Sequence, residues 1–386
     1  MVVILYDTPA ARLVHYPFSL THPIADLRTG LFTQRQWVNE VLEIKVFTLS
    51  EAYLNELIDD AEKYLCLDAG WIMQAAFLQE IALAPVGTAY LHNGNLVGYV
   101  SAKKPLYNQF PLFFEKTIPC NSGVIQVENA FRWIFESSAL IGYQLDFLIR
   151  KANAQPGLNL KEIEPGLWVE NGATIKPGFY NTEEGPVFIG KNALIMEGVM
   201  LRGPVAILEG AVVKMGTTIY GGTVIGRYCT AGGEIKNSLL GDFSNKAHHG
   251  YLGDSMVGNW CNLGAGTTNS NVKNNGGKVK AWSEKYRQYA EIGQKAGMLM
   301  GSYTRTSINT SVNSGTVIGC CCSLHSTGEG APFVKGHIAP FAWGSTACKY
   351  DLNKAFTDTK TWMGMKKRQA DEGLFTIFQH IYNQTV

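Results

Sequence analysis

The feature that most constrains this chain is an aliphatic residue that returns at every sixth position through its second half. An uninterrupted run consists of Ile189, Ile195, Leu201, Ile207, Val213, Ile219 and Ile225. A small or β-branched residue follows four positions after each: Ala193, Val199, Val205, Ala211, Thr217, Thr223 and Cys229. A 3.6-residue helix would spread these positions around its axis, and two-residue alternation would not single out every third inward position. Such hexads indicate a parallel β-helix, in which three short strands and three turns form each coil.

Composition excludes several classes of protein. The 386 residues are enough for two or three domains, and the balance of 33 Lys and Arg against 32 Asp and Glu predicts no nucleic-acid partner. No apolar run approaches the roughly 18 residues of a membrane span, so we expect no membrane association. Eight cysteines without a C-x-x-C pair argue against a disulfide framework or a zinc site. Reduced thiols and a start without a charged leader predict a cytoplasmic protein.

Residues 1–153 show a different pattern, in which short apolar strands alternate with amphipathic segments. Strands are predicted at 2–6, 44–49 and 64–69, helices at 30–42 and 51–61, and an Asn-Gly hairpin within 90–100. Together they indicate an α/β domain with a mainly parallel sheet. The predicted order is this domain at 1–153, a linker and irregular first coils at 154–186, the regular β-helix at 187–345, and a helical tail at 346–386.

Loops that follow parallel strands are where α/β domains bind nucleotides. Arg12 and Arg28 lie in such stretches and are candidate phosphate ligands, and Asp68, at the end of a strand, is a candidate ligand for Mg²⁺. Each residue also has a structural alternative, since an arginine of this kind or a strand-end aspartate is more often a surface or turn residue.

In position, this domain resembles the sugar-1-phosphate nucleotidyltransferase domain that precedes a hexapeptide β-helix in bifunctional enzymes. The G-x-G-T-R loop and the Pro-Lys pair of that family do not occur here. Because these elements would bring backbone N–H groups and positive charge to a triphosphate, we expect nucleotidyl transfer to be weak, altered or absent.

The hexad period breaks after Ile225, where Gly232 to Lys236 cannot continue it. Polar side chains are concentrated around the break: Glu234, Lys236, Asn237, Asn245, Lys246, His248, His249, Tyr251, Asp254, Asn262, Asn269 and Asn271. Interruptions in a solenoid form loops or bulges on one face, often the binding face. A β-helix that served only as a scaffold would have no evident need for this cluster.

The stretch from Glu234 to Asn271, framed by Tyr-Leu-Gly-Asp at 251–254, resembles the acetyltransferase site of a bifunctional enzyme family. This is the N-acetylglucosamine-1-phosphate uridyltransferase/glucosamine-1-phosphate N-acetyltransferase family. The resemblance implies a left-handed β-helix and a homotrimer with an acyl site at each subunit boundary. It also implies acetyl-CoA as acyl donor and an amino-sugar 1-phosphate as acceptor.

The same frame implies a role for individual residues. His248 is the implied catalytic base and Glu234 its acidic partner; Lys236, Tyr251, Asn262, Asn271 and Lys278 are the implied substrate-binding residues; Ser302 and Cys320 occupy places that match the CoA groove. Removing a proton from an ammonium near pH 7 suits a histidine. Glu234 would hold the imidazole tautomer, Lys236 would neutralise the phosphate, and Asn271 would help to bind the oxyanion. His249 remains the alternative base.

Two departures from the family leave the acceptor open: the family's sugar-phosphate arginine falls on Thr218, and its lysine after the second asparagine corresponds to Lys278 only through a one-residue insertion. Three functions therefore remain. The first is N-acyl transfer from acetyl-CoA to an amino-sugar 1-phosphate. The second is sugar-1-phosphate nucleotidyl transfer, with Mg²⁺ and a nucleoside triphosphate, in the N-terminal domain. The third is a non-catalytic trimeric β-helical module.

Overall fold

The structure is a computed structural model that describes residues 1–109, 111, 113–154, 160–325, 333–344 and 348–385. It divides into two compact units, of which the first comprises Met1–Arg28 and Phe32–Ala130 and the second comprises Thr29–Leu31 and the chain from Phe131 onward. Residues 155–159 of the predicted linker, and the predicted junction between β-helix and tail at 345–347, lie outside the described residues.

The first unit is an α/β domain. Its strands are β1 (Val2–Tyr6), β2 (Arg28–Thr29), β3 (Phe32–Thr33), β4 (Val46–Leu49), β5 (Tyr64–Asp68), β6 (Trp71–Met73), β7 (Thr88–His92), β8 (Asn95–Ser101), β9 (Lys116–Pro119) and β10 (Val124–Gln126), and its helices are α1 (Pro9–Val14), α2 (Gln34–Leu42) and α3 (Ala75–Leu83). The main sheet has the order β4-β1-β5-β8-β7-β9. All its pairs are parallel except those that β8 makes with β5 and β7. The predicted α/β domain is confirmed.

The helix predicted at 51–61 is wrong, since only a single 3₁₀ turn forms there, at Ala52–Leu54. This segment instead follows the exposed edge of the sheet at β4. Glu56 accepts hydrogen bonds from the backbone N–H and the hydroxyl of Thr48, and Asn55 Oδ1 accepts from Ser50 N at 2.9 Å. The polar side chains thus satisfy backbone groups at and just beyond an open strand edge, which helical spacing along the chain does not reveal.

The second unit is a parallel β-helix preceded by the long helix α4 (Arg132–Ala154). Strand β11 (Leu160–Glu164) runs antiparallel to the first coil strand. The strands of the coils that follow are β12 (Leu167–Glu170), β13 (Thr174–Ile175), β14 (Phe179–Asn181), β15 (Val187–Ile189), β16 (Leu194–Ile195), β17 (Met200–Arg202), β18 (Val205–Ile207), β19 (Val212–Val213), β20 (Thr218–Ile219), β21 (Thr223–Ile225), β22 (Thr230–Ala231), β23 (Glu234–Lys236), β24 (Leu239–Leu240), β25 (Asn245–Lys246), β26 (Tyr251–Gly253), β27 (Met256–Val257) and β28 (Thr268–Asn269).

An antiparallel hairpin, β29 (Val279–Ser283) with β30 (Gln288–Gly293), then interrupts the coils. The remaining elements are β31 (Met298–Met300), β32 (Arg305–Thr306), β33 (Ser311–Val312), β34 (Thr316–Ile318), β35 (Ser323–Leu324), β36 (His337–Ile338), β37 (Ala342–Trp343), β38 (Cys348–Lys349), α5 (Leu352–Met365) and α6 (Glu372–Gln384). The predicted helical tail is therefore present as two helices. Among the described residues, no helix is long and apolar enough to cross a membrane.

Three parallel sheets run along the β-helix. Face 1 contains β12-β15-β18-β21-β24-β27-β31-β34-β36, face 2 contains β13-β16-β19-β22-β25, and face 3 contains β14-β17-β20-β23-β26. The aliphatic residues of the hexads point inward and stack in apolar columns, in which Ile189, Ile195 and Ile207 are wholly buried. Each such side chain contributes roughly 1.5–3 kcal/mol by leaving water, which makes this stack the main source of stability in the unit.

The break in the hexads is a shortened coil and not the expected loop or bulge. Val205 pairs with Thr223, but Val224 pairs with Leu239, so the coil that follows β21 is three residues shorter than the one before it. A Cβ atom on Gly232 would lie only 2.5 Å from the Ala247 carbonyl oxygen. Glycine at this corner therefore allows the backbones of neighbouring coils to approach closely.

The C-terminal helices pack back onto a corner of the β-helix. Phe378 meets the rings of Tyr303 and Phe341 edge-on, at centroid distances of 5.1 and 5.9 Å. Lys366 Nζ donates to the Tyr228 carbonyl oxygen at 2.5 Å. The aromatic face of α6 thus serves in packing.

Candidate active site

Part of the polar cluster predicted from the sequence lies on face 3. Glu234 and Lys236 lie on β23 either side of the buried Ile235, so strand alternation turns both outward, where they are exposed. In the ladder Glu234 pairs with Tyr251 and Lys236 with Gly253. Glu234, Lys236 and Tyr251 are therefore brought together on one outward surface, as the motif frame predicts.

A buried carboxylate organises the next coil of this surface. Asp254 Oδ1 accepts from Asn237 Nδ2 at 2.6 Å, and its Oδ2 accepts from Asn271 Nδ2 at 2.5 Å. The same Asn271 amide also donates to the Tyr251 hydroxyl at 3.1 Å. Asn271 is thereby fixed beside Tyr251. Because its amide N–H groups are engaged inside the site, an oxyanion would require other donors than the predicted Asn271.

From the sequence alone, Asp254 is only one of the polar residues of the motif. Its contacts with Asn237 and Asn271 join adjacent coils, so they become visible only when the length of each coil is known. Its backbone is in the left-handed region, with φ of 47°, which an Asp tolerates better than most residues.

Tyr251 is half-buried beside these carboxylates. Burial raises the pKa of its phenol to about 12, and the negative charges of Asp254 and Glu234 act in the same direction. The hydroxyl is therefore protonated at neutral pH and can donate a hydrogen bond to an oxygen of a ligand.

The candidate base lies in the turn between β25 and β26, at the border of face 3. His248 and His249 are both exposed. The backbone N–H of Glu234 donates to the Gly250 carbonyl oxygen at 3.3 Å, which places the turn next to the start of β23. Within the described part of the chain, the His248 imidazole has no hydrogen-bond partner, and the predicted pairing with Glu234 is not formed. Catalytic hydrogen bonds are often long or unformed without substrate.

A buried lysine, Lys246, lies beneath this turn, and the motif assigns it no role. The side chain of Lys246 occupies the interior of the β-helix, and its Nζ donates to the carbonyl oxygens of Gly232 at 3.0 Å and His248 at 2.6 Å. Burial lowers the pKa of its ammonium to about 8. The signal in the sequence was its position six residues after Leu240 and six before Leu252, where the hexads call for an aliphatic residue.

Two predicted substrate-binding residues lie away from face 3. Asn262 continues face 2 through bridges to Asn245 and Arg305, and its Oδ1 accepts from Asn245 Nδ2 at 3.4 Å. Lys278 stands at the base of the hairpin and forms an exposed ion pair with Glu291 at 2.5 Å. Asn262 therefore belongs to a different sheet from Tyr251, and the Lys278 ammonium is engaged by Glu291.

The two residues predicted to line the CoA groove are not exposed, which differs from that expectation. Ser302 is buried, and its Oγ accepts from Asn259 N at 3.1 Å. Cys320 is also buried, because it lies inside the turn between β34 and β35. A ligand in a groove along these coils would contact the backbone groups of Ser302 and Cys320 and not their side chains.

The candidate nucleotide residues of the first unit are engaged within it. The Arg12 guanidinium donates all five of its N–H groups, to Asp7, Ser50, Glu51, the Ser19 carbonyl oxygen and Tyr53. Arg28 is buried as well. This geometry favours a structural role for Arg12 over phosphate binding, because no donor of its guanidinium is left for a ligand.

Asp68, the predicted Mg²⁺ ligand, caps the turn after β5. Its Oδ1 accepts from Gly70 N at 2.8 Å, and burial raises the pKa of its carboxyl to about 7. Across the described residues, no three His, Cys, Asp or Glu side chains are grouped closely enough to hold a metal ion. Asp68 alone does not form a metal centre, and the Mg²⁺ assignment stays a prediction.

The family match covers the first unit together with α4. Residues 3–154 match the family model described as sugar nucleotidyl transferase. Among curated proteins, the chain is 32% identical over 127 residues to the bifunctional protein GlmU of Thermodesulfovibrio yellowstonii, covering 28% of each chain. It is 27% identical over 256 residues to GlmU of Methanococcus vannielii, covering 57% of this chain and 55% of that protein. The chain thus spans only about a quarter to about half the length of these relatives.

Among solved structures, the acetyltransferase NeuO, described as specific for polySia, is 14% identical, with a TM-score of 0.27 over 53% of this chain and 99% of its own. The resemblance to the bifunctional family that the motif at 234–271 suggested is confirmed by the curated relatives. This chain is similar to the bifunctional GlmU proteins, and its residues 3–154 match the sugar nucleotidyl transferases.

Proposed function

We propose that the protein is a transferase of sugar-nucleotide metabolism whose β-helix moves an acetyl group from acetyl-CoA to the amine of an amino-sugar 1-phosphate. One observation carries this proposal. Glu234, Lys236 and Tyr251 share face 3, and the His248 turn borders it at the start of β23. A base, a cation and a neutral hydroxyl on one surface are the groups that such an acceptor requires.

The chemistry assigns each group a step. Neutral His248 removes a proton from the ammonium of the sugar, and the free amine attacks the thioester carbonyl carbon. A C–N bond forms, the C–S bond breaks, and CoA leaves as a thiol after taking up a proton. Glu234 stabilises the imidazolium that forms, and the exposed Lys236 binds the 1-phosphate. Tyr251 donates to a sugar oxygen, and backbone N–H groups supply the oxyanion donors.

The acyl site is proposed to lie between subunits of a homotrimer. Asn262 belongs to face 2, whereas Tyr251 belongs to face 3, so a site that uses both needs two chains. Face 1 is not available for this contact, because α4 packs on β18 and β21 and the hairpin packs on β34. Face 3 instead exposes Phe179 and Met200, at 72% and 42%. Light scattering of the full chain is expected to give the mass of a trimer, and a monomer would contradict this arrangement.

A second candidate function rests on the family match of residues 3–154: sugar-1-phosphate nucleotidyl transfer by the first unit. Arg28 and Asp68 are the residues proposed to act with a nucleoside triphosphate and Mg²⁺. We expect this activity to be weak or altered, because the Gly-rich loop and the Pro-Lys pair are missing and Arg12 has no free donor.

Substitution of the two adjacent histidines tests the acyl transfer. His248→Ala is expected to lower kcat for acetylation of glucosamine 1-phosphate by about 10²- to 10⁴-fold, with little change in the affinity for acetyl-CoA. His249→Ala is the matched control and is expected to do much less. Equal rates for the parent and both variants would contradict the base assignment. A parent that acetylates no amino sugar would favour the non-catalytic module.

A further inference from the structure

Lys246 is a positive charge in an apolar interior. It pairs with Ala231 in the ladder of face 2, and the same inward column contains Ile195 and Val213. Its side chain is 1% exposed. Burying an ammonium costs several kcal/mol unless its partners replace the lost water.

The partners of Lys246 compensate only in part. Its Nζ donates to two carbonyl oxygens, those of Gly232 and His248, and within the described residues it has no carboxylate partner. Carbonyl dipoles stabilise an ammonium less than a carboxylate does, and burial lowers the pKa of the Lys246 amine to about 8. The amine still carries its charge at neutral pH. An aliphatic side chain would pack in this column at a lower cost, so stability alone does not explain a lysine here.

The two carbonyl groups belong to the two backbone segments that form the border of the candidate site. A Cβ atom on Gly233 would lie 2.8 Å from the His248 carbonyl oxygen and 3.0 Å from Lys246 Nζ. The corner at Gly232 and Gly233 therefore packs directly against the turn that carries His248. The corner also leads straight into β23, whose first residue is Glu234.

We propose that Lys246 is a positioning residue for the acyl transfer, whose ammonium ties the His248 carbonyl to the Gly232 carbonyl and so holds the His248 turn against the start of β23. This inference rests on the proposed function, in which His248 is the base. Lys246 does not contact the substrate, since it lies inside the β-helix. It fixes the backbone on which the imidazole stands, and a shift of this turn would move the base away from the amine.

The test combines kinetics with amide hydrogen exchange on the full chain. Lys246→Met removes the donors but keeps the length and apolar character of the side chain. We expect kcat for acetylation of glucosamine 1-phosphate to fall by about 10- to 100-fold, with KM for acetyl-CoA unchanged. Exchange of the amides at 247–250 is expected to quicken, while the unfolding temperature stays the same or rises. Lys246→Gln, which keeps an N–H donor, is expected to recover part of kcat.

Ile195→Met is the matched control, because it changes the same inward column two coils earlier than Ala231 and leaves the turn untouched. It is expected to affect neither kcat nor exchange at 247–250. A Lys246→Met variant with the kcat and the exchange of the parent would overturn the proposal, and so would a loss of kcat equal to that of Ile195→Met. If the parent itself transfers no acyl group, the acyltransferase assignment fails, and unchanged exchange at 247–250 would then overturn the turn-holding role separately.

Discussion

Each unit of this protein buries a cation, and the two cations are treated in opposite ways. In the α/β unit, Arg12 is surrounded by acceptors and forms ion pairs with Asp7 at 3.0 Å and Glu51 at 3.1 Å. In the β-helix, the only partners of the Lys246 ammonium among the described residues are two carbonyl groups. A buried charge whose donors are all used inside the fold is explained by the fold. A charge that is compensated only in part needs another reason, and Lys246 lies directly under the candidate base.

Arg12 and Lys246 also differ in what their positions in the sequence indicate. Arg12 follows the first strand, which is where a phosphate ligand is expected in an α/β domain, yet its contacts point inward. Lys246 sits at an inward hexad position, where no charge is expected. The residue that follows the positional rule is engaged inside its own unit, and the residue that breaks the hexad pattern lies beneath the candidate site.

The largest expected loss of stability follows the removal of Arg12, the buried cation that is paired with carboxylates. Arg12→Met leaves the buried Asp7 carboxylate without its counter-ion, and we expect the first unit to lose about 3–5 kcal/mol of stability. Urea unfolding followed by amide exchange in β1 and β4 measures this loss. The control is Lys45→Met, which removes an exposed ion pair with Asp59 at 4.0 Å and should cost less than about 1 kcal/mol. Equal losses in the two variants would show that the Arg12 network is not structural.

A smaller effect is expected at the buried anion of the β-helix, Asp254, whose side-chain partners are the amide N–H groups of Asn237 and Asn271. Asp254→Asn replaces an acceptor with a group that also donates, so one amide of Asn237 or Asn271 loses its partner. We expect a loss of about 1–3 kcal/mol and a raised KM for the amino sugar, because Asn271 is released from Tyr251. Thermal unfolding and acetylation kinetics measure the two effects. A variant with the stability of the parent and its KM would mean that the network does not shape the site.

The pH dependence of stability sharpens the contrast at Asp68 in the first unit. Its pKa is about 7 in the folded chain and 3.8 in the absence of burial, so between these values the folded state binds more protons than the unfolded state. The stability of the parent relative to Asp68→Asn should therefore fall as pH rises from about 4 to 7. Thermal midpoints of the two proteins across this range check the sign. A difference that does not change with pH would contradict the burial of this carboxyl.

The smallest effect is expected at Lys246, and it has the opposite sign. Burial lowers its folded pKa to about 8 from 10.5, so the unfolded state binds more protons between these values. Relative to Lys246→Met, the parent should gain stability as pH rises from about 8 to 10.5, and at neutral pH it should be no more stable than the variant. Urea midpoints measured in parallel check this. A parent that is clearly more stable at pH 7 would mean that the ammonium is fully compensated and contributes to the fold.

The sequence predicts those features of the fold that depend on a repeated spacing or on a few neighbouring residues. The inward columns from Ile189 to Ile225 follow from the hexads, and the turn at Asn93-Gly94 follows from its residues, which take φ of 48° and 81° between β7 and β8. The outward convergence of Glu234, Lys236 and Tyr251 followed from the motif frame. These features depend on spacing along the chain alone.

The features that were missed depend on contacts between distant segments. Glu56 caps the edge of β4 instead of continuing a helix, and nothing in its local spacing reveals that edge. The hydrogen bonds of Asp254 and Lys246 link adjacent coils near the shortened coil, whose length the hexad spacing does not give. Asn262 and Lys278 were placed with Tyr251 by a linear frame, but they lie on a different sheet and on the hairpin.

In the proposed function, the β-helix, and not the α/β unit, carries the main chemistry. The most direct test incubates the full chain with acetyl-CoA, glucosamine 1-phosphate, UTP and Mg²⁺, and follows thiol release and pyrophosphate release side by side. We expect thiol release that His248→Ala slows by about 10²- to 10⁴-fold, with little or no pyrophosphate. Rapid pyrophosphate release without thiol release, unaffected by His248→Ala, would contradict it.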